Sequence, residues 1–383
     1  MGLETPLQSK NLELKPYATA SVITDKAALV PVSNDPTASA GFDFKYGLTR
    51  GLIADATVNT DFAQVEEDLQ QVNLTRFSLF FPEKREFFLE GQTIFAFAGV
   101  NAQAQGGPGE TPVLFFSRRI GLDNGQAVPI RAGGRLTGRA GKYTVGLLNI
   151  ETGKSALAGT PATNFSVVRV KRDILRRSSV GLLATSRSDS AAAPGTSNQA
   201  YGVDGTFAFF SNLTVATYYA RTRTGGRTND TSSYRLQTEY AGDRYGLQLE
   251  RLAIDPHFNP EVGFLRRTDL RKNYVQARFS PRPKRIRQVR KFSGIGQYTY
   301  VQDAAGRVTT KLADGEFAIE FQNSDRFAVG VQDDYELITK SFSVVPGATI
   351  RTGGYDFTAG RLGYNLGQQR KASGNVLLER GQF

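Results

Sequence analysis

A chain of 383 residues with 40 Gly, 26 Phe and 15 Tyr, but no Cys and no Trp, has the composition of turns and aromatic-bearing strands. Without Cys it can hold no disulfide framework, thiolate metal centre or Cys nucleophile, which fits a cell-envelope protein. The net charge of +11 suits nucleic acid, anionic lipid or acidic glycan. However, the strongest basic run, "RPKRIRQVRK" from Arg282 to Lys291, lacks aromatic interleaving and zinc spacing. It reads as a solvated connection between strands, with no nucleic-acid partner.

The opening "MGLETPLQSKN" is not a signal peptide, since no apolar core follows a basic start. Either a leader has been removed or the sequence is a fragment. No run of about 18 apolar residues exists, so no transmembrane helix is expected. Period-2 alternation then recurs along the chain. Phe42, Phe44, Tyr46 and Leu48 alternate with Asp43, Lys45 and Gly47, and Leu52, Ala54, Ala56 and Val58 resume after a tight turn. Tyr143, Val145 and Leu147 share a face, as do Val203, Phe207 and Phe209. Tyr234, Leu236, Thr238 and Tyr240 oppose Arg235, Gln237 and Glu239, and after "AGDR" the face returns at Tyr245, Leu247 and Leu249. Phe317, Ile319 and Phe321 form a second such hairpin with Phe327, Val329 and Val331 across "NSD".

This spacing predicts roughly 16 to 20 strands. No crossover helices separate them, so the sheet is expected to be antiparallel. Blade-period repeats are not evident, which argues against a propeller. Aromatics at the ends of apolar faces suit the two girdles of a transmembrane barrel, and the polar opposite faces suit a wet lumen. Connections also differ: some are a few residues long, while Thr152 to Thr163 and Asp189 to Ser197 are longer and rich in small residues. The expectation is an all-β protein: one large antiparallel transmembrane β-barrel domain over 1–383, with a plug or constriction segment inserted at 60–110.

That segment breaks the meander. "NLTRFSLFFPEKREFFLEG" at 73–91 splits four Phe with a charged knot. Pro82 could open a short helix with Glu83 in its first turn. Phe87, Phe88 and Leu89 would then pack on Phe80 and Phe81, and the knot would face lumen water. The alternative is a cap that only braces the wall. Glu83, Lys84, Arg85, Glu86, Arg118 and Arg119 are the candidate constriction residues. Lys84, Arg85, Arg118 and Arg119 could form a basic ring selecting anionic solutes, or could pair with Glu83, Glu86 and Glu90.

"DATVNTDFAQVEED", "VNLTRFSLFFPEKREFFLEG" and "LFFSRRIG", in that order, together with "FNPEVGFLRRTDLRK" at 258–272, resemble a bacterial family, domain-of-unknown-function family 5916. The resemblance runs from about Leu12 to the end. It implies an outer-membrane β-barrel, a type often placed behind a family-9-type carbohydrate-binding domain, and it brings no catalytic residues. That domain is absent here, and the chain stops at "VLLERGQF", where the family barrel continues. Residues 375–381 do not present the apolar face of a closing strand, so closing strands are expected to be missing.

Enzymatic signals are thin. The one His, His257 in "DPHFNPEVG", would have to serve any Ser-His-acid hydrolase, yet it sits between prolines in a turn. One His and no Cys leave no zinc site. Asp61, Glu66, Glu67 and Asp68 could take calcium but read as a solvated acidic turn. No nucleotide-binding motif occurs, and no cofactor is expected. The leading expectation is a porin- or transporter-like protein of the bacterial outer membrane, linked to glycan binding or uptake without covalent chemistry. Its partners would be the lipid bilayer, lipopolysaccharide, the barrel-assembly machinery and an oligosaccharide. The alternatives are a glycan hydrolase with acids in the barrel mouth and an anchor for a carbohydrate-binding domain.

Overall fold

The computed structural model describes residues 11–26, 31–59, 77–100, 107–123, 126–156, 158–227, 229, 231–345 and 347–382. The acidic stretch with Asp61, Glu66, Glu67 and Asp68 lies outside them, as does the first part of the 60–110 segment.

Seventeen strands form one antiparallel sheet. In chain order they are β1 (Leu12–Asp25), β2 (Val32–Thr49), β3 (Leu52–Val58), β4 (Ile130–Ala140), β5 (Tyr143–Thr152), β6 (Thr163–Leu175), β7 (Ser178–Arg187), β8 (Asn198–Phe209) and β9 (Leu213–Thr224). They continue with β10 (Ser232–Ala241), β11 (Tyr245–Ile254), β12 (Leu270–Phe279), β13 (Val289–Gln302), β14 (Val308–Phe321), β15 (Arg326–Ile338), β16 (Gly353–Leu366) and β17 (Gly374–Gly381). Every strand pairs with its neighbours in sequence, so the sheet is an uninterrupted meander. Among the described residues β1 pairs only with β2, and β17 only with β16. Two short ribbons, Leu122–Asp123 with Gln126–Ala127 and Phe342–Val345 with Ala348–Ile350, stand apart from it.

The hairpins expected from alternation are present in register. Tyr234 lies opposite Ala253 and Tyr240 opposite Leu247, and Phe317 lies opposite Val329. Connections alternate in character. Those at 50–51, 141–142, 176–177, 210–212, 242–244, 280–288, 322–325 and 367–373 share one end of the sheet. The opposite end carries 26–31, 59–129, 153–162, 188–197, 225–231, 255–269, 303–307 and 339–352. The basic run is the longest connection of the first group, with Lys284, Arg285 and Arg287 all exposed.

The two faces of the sheet are buried unequally. The outward face is apolar and bare: Tyr219 is 49% exposed, Tyr234 44%, Leu236 51% and Leu182 45%. The inward face carries charge, and Arg169 is 1% exposed and Arg135 5%. The described parts of 59–129 fill the inner side. Phe88, Phe95, Phe97, Leu114 and Ile120 form one core with Ile150, Val167, Leu183, Tyr218 and Ile254 of the wall. Wall glycines permit this close approach. A Cβ on Gly146 would meet the Phe95 ring at 2.8 Å, and one on Gly202 the Phe97 ring at 2.7 Å.

Two local expectations need correction. The helix α1 spans Glu86–Leu89, so it starts one turn after Pro82. The reason is the Glu83 carboxylate, which accepts the backbone N–H of Lys84 and of Arg85 at 3.0 Å each and holds that turn extended. The Phe cluster also divides. Phe80 packs on Phe116 and Phe264, with ring centroids 5.0 and 5.1 Å away, whereas Phe87 meets Phe88 edge-on at 5.2 Å beside the main core.

Candidate functional site

Three buried polar nodes hold the insert, the first within it and the other two joining it to the wall. In the first, Arg85 donates through Nε to Glu83 Oε1 (2.8 Å) and through Nη2 to Glu83 Oε2 (2.7 Å). Its remaining donors reach the carbonyls of Ile120 (2.6 Å) and Ser117 (2.8 Å), and Ser117 Oγ donates to Glu83 at 2.6 Å. Burial alone would push the Glu83 carboxyl up; the hydrogen bond and charge of Arg85, with Ser117, outweigh it and hold the group below the usual carboxylate range. The second node lies between β6 and β8, where Arg169 forks onto Asp204 at 2.5 and 2.9 Å while Asp204 accepts the Ala98 N–H at 3.0 Å. In the third, Arg135 of β4 donates to Asp55 of β3 at 2.8 and 3.0 Å. It also donates to the carbonyls of Phe87 and Glu90 at the end of α1.

That third node closes a row of alternating charge across four strands. Glu13 of β1 faces Lys45 of β2, Lys45 faces Asp55, and Asp55 faces Arg135. Lys15 faces Asp43 one step along. The acids of α1 answer this row: Glu90 pairs with Lys45 and lies 3.5 Å from Arg135, and Glu86 lies 3.7 Å from Lys15. Between row and helix is a cleft of about 520 Å³. Glu13, Asp43, Asp55, Glu86 and Glu90 line it against Lys15, Lys45 and Arg135. The carboxylates therefore outnumber the cations, so its field favours cations and hydrogen-bonding neutral solutes.

The six residues singled out from sequence divide among several settings. Glu83 and Arg85 meet in the buried node, and Glu86 lines the cleft with its side chain 92% exposed. Lys84 is half-buried beside them. Arg118 donates to the Pro82 carbonyl at 3.1 Å, and Arg119 to the Gly263 carbonyl at 3.1 Å. His257 sets its ring 3.2 Å from the Asn229 carbonyl. Among the described residues no cluster of His, Asp and Glu could hold a metal ion.

Two of the quoted motifs meet in space. Val113 and Phe264 exchange backbone bonds at 2.9 and 2.8 Å, and the Phe116 N–H donates to the Val262 carbonyl at 2.8 Å. The 255–269 connection thus lies over the insert. Sequence reasoning missed the cleft residues of β1 to β4. Their signal is charge at every second position, as in "LELK", "DFK" and "ADA", but only register shows that the charges adjoin.

Residues 8–149 match the model of a family described as Domain of unknown function (DUF5916), the family that the quoted motifs resemble. No curated protein matches in sequence. A solved structure, described as the crystal structure of Pseudomonas aeruginosa OpdK with vanillate, aligns over 97% of this chain and 91% of its own at 11% identity, with a TM-score of 0.34.

Proposed function

We propose that this protein is an outer-membrane, porin-like β-barrel whose insert narrows the lumen and leaves a charged passage beside β1 to β3. One observation carries the reading: the outward face is apolar and exposed while the inward face holds paired charges and a packed insert. Such a pattern suits a sheet solvated by lipid outside and water inside. Aromatics mark both margins of the bare band, with Tyr201 and Tyr234 towards the long connections and Tyr143, Tyr245 and Phe279 towards the short turns.

The solute would pass between α1 and the charge row. Its hydroxyls would exchange water for the carboxylates and ammonium groups there, without covalent chemistry. A neutral oligosaccharide fits this lining, and the carbohydrate-binding domain often found in the family supports that choice by association. The test is single-channel conductance of the full chain refolded into planar bilayers, with and without added oligosaccharides. Steady, mildly cation-preferring conductance that sugars block is the expected result. A membrane-inserted protein without conductance overturns the passage, and a folded protein that stays in solution overturns the barrel.

A further inference from the structure

The charge of the molecule is gathered at one end. The eight short-turn connections contain eleven Lys and Arg against two Asp. The connections of the opposite end contain thirteen Lys and Arg against fifteen Asp and Glu. All eleven cations are exposed. Lys284, Arg285 and Arg287 flank an exposed Ile286, and Phe210 in the 210–212 turn is 88% exposed.

Cations also lie on the outward aromatic band at this end. Arg172 sits 5.3 Å over the Tyr143 ring. Arg244 sits 5.5 Å from the Tyr245 centroid and 5.3 Å from that of Phe279, and those rings stack on each other. A guanidinium held on a lipid-facing ring stands where headgroup phosphates lie, with the ring in the acyl boundary. Among the carboxylates of this end, Asp243 is taken by Arg282 at 2.8 Å and Asp325 pairs with Arg370 at 2.5 Å. Among the described residues the ion pairs of this end leave the 284–287 cluster, Arg172 and Arg244 without an acidic partner.

We infer that the short-turn end is a docking collar for anionic phospholipid headgroups, with Arg172 and Arg244 at the belt and Lys284, Arg285 and Arg287 beyond it as phosphate contacts. The inference rests on the barrel reading and deepens it, because it assigns the leaflet. Short turns face the periplasm in outer-membrane barrels, so the collar engages the inner-leaflet phospholipids. The placement on the belt favours lipid over an axial partner such as the cell-wall polymer.

The test uses the full chain refolded into vesicles and nanodiscs of phosphatidylcholine with one-fifth phosphatidylglycerol. Protease protection in the vesicles reports insertion separately. Lipid retained by the protein after detergent exchange is then counted by native mass spectrometry. Wild type is expected to retain phosphatidylglycerol well above its share of the mixture, and 0.5 M salt should reduce the excess. K284Q/R285Q/R287Q and R172Q/R244Q should each weaken retention, about fivefold per charge removed, while R223Q at the opposite end leaves it unchanged. Inserted wild type whose retained lipid mirrors the mixture overturns the collar and leaves the barrel standing. So does a triple variant that loses binding to isolated cell-wall sacculi but keeps its phosphatidylglycerol. Failure to insert overturns the barrel itself.

Discussion

Removing the Arg135 guanidinium should release the insert from β3 and β4. R135M leaves the Asp55 carboxylate, 8% exposed, without the partner now at 2.8 Å. It also strips the charged donor from the carbonyls of Phe87 and Glu90. Breaking a buried ion pair from one side costs about 3–5 kcal/mol. Asp55 lines the cleft, where water can partly replace the lost donor, so about 3 kcal/mol is the expected loss. D55N/R135M removes the stranded charge and should recover about half of it. The assay is urea unfolding of the bilayer-embedded protein for wild type, both single variants and the double variant, with proteolysis near α1 as a local readout. A single variant within about 0.5 kcal/mol of wild type would refute the argument. So would a double variant no more stable than R135M, since the cost would then not lie in the uncompensated carboxylate.

Acid should loosen the same insert from another side. The Glu83 carboxyl is held below its usual range in the fold. Its stabilisation is therefore complete above the unfolded value of about 4.3 and is lost as pH falls through the lower folded value; proteolysis of the insert should rise below about pH 4 in wild type and lose that step in E83Q. Leu236→Arg places a charge on the bare outward face and should cost about 2–4 kcal/mol of insertion stability; an unchanged unfolding midpoint in bilayers would mean that face does not meet lipid. Gly263→Ala would set a Cβ 2.1 Å from the Val113 carbonyl oxygen, which should separate the 255–269 connection from the insert at a cost of about 1–3 kcal/mol, seen as a lower Tm. E86Q/E90Q should lower the cation preference of the conductance without closing it, because two of the cleft carboxylates lose their charge.

The strands were legible because bare apolar positions alternate with covered ones, and that alternation is local. Tyr234 to Tyr240 with Tyr245 to Leu249 could be paired from sequence alone, since the turn between them fixes the register. The insert was less legible. Its existence showed in the broken alternation around Pro82, but its contacts join residues far apart in sequence, such as Arg85 with Ile120 and Val113 with Phe264. The Glu83 to Glu86 knot illustrates the difference. Composition could not say that Glu83 and Arg85 would bury together while Glu86 turned to the cleft, because that choice depends on the Ser117 and Ile120 groups that complete the buried pair.

A meander in which each strand joins its predecessor permits assembly in chain order. Hairpins can add one at a time from β4 onward, giving Phe95 and Phe97 a floor as soon as β5 to β9 have assembled. The backbone bonds of Val113 and Phe116 wait for 262–264, which follow β11 in the chain. Assembly in chain order would seat the insert early and latch it late, and an intermediate interrupted between the two would hold a loosely docked insert, open to proteases at residues that the finished protein covers.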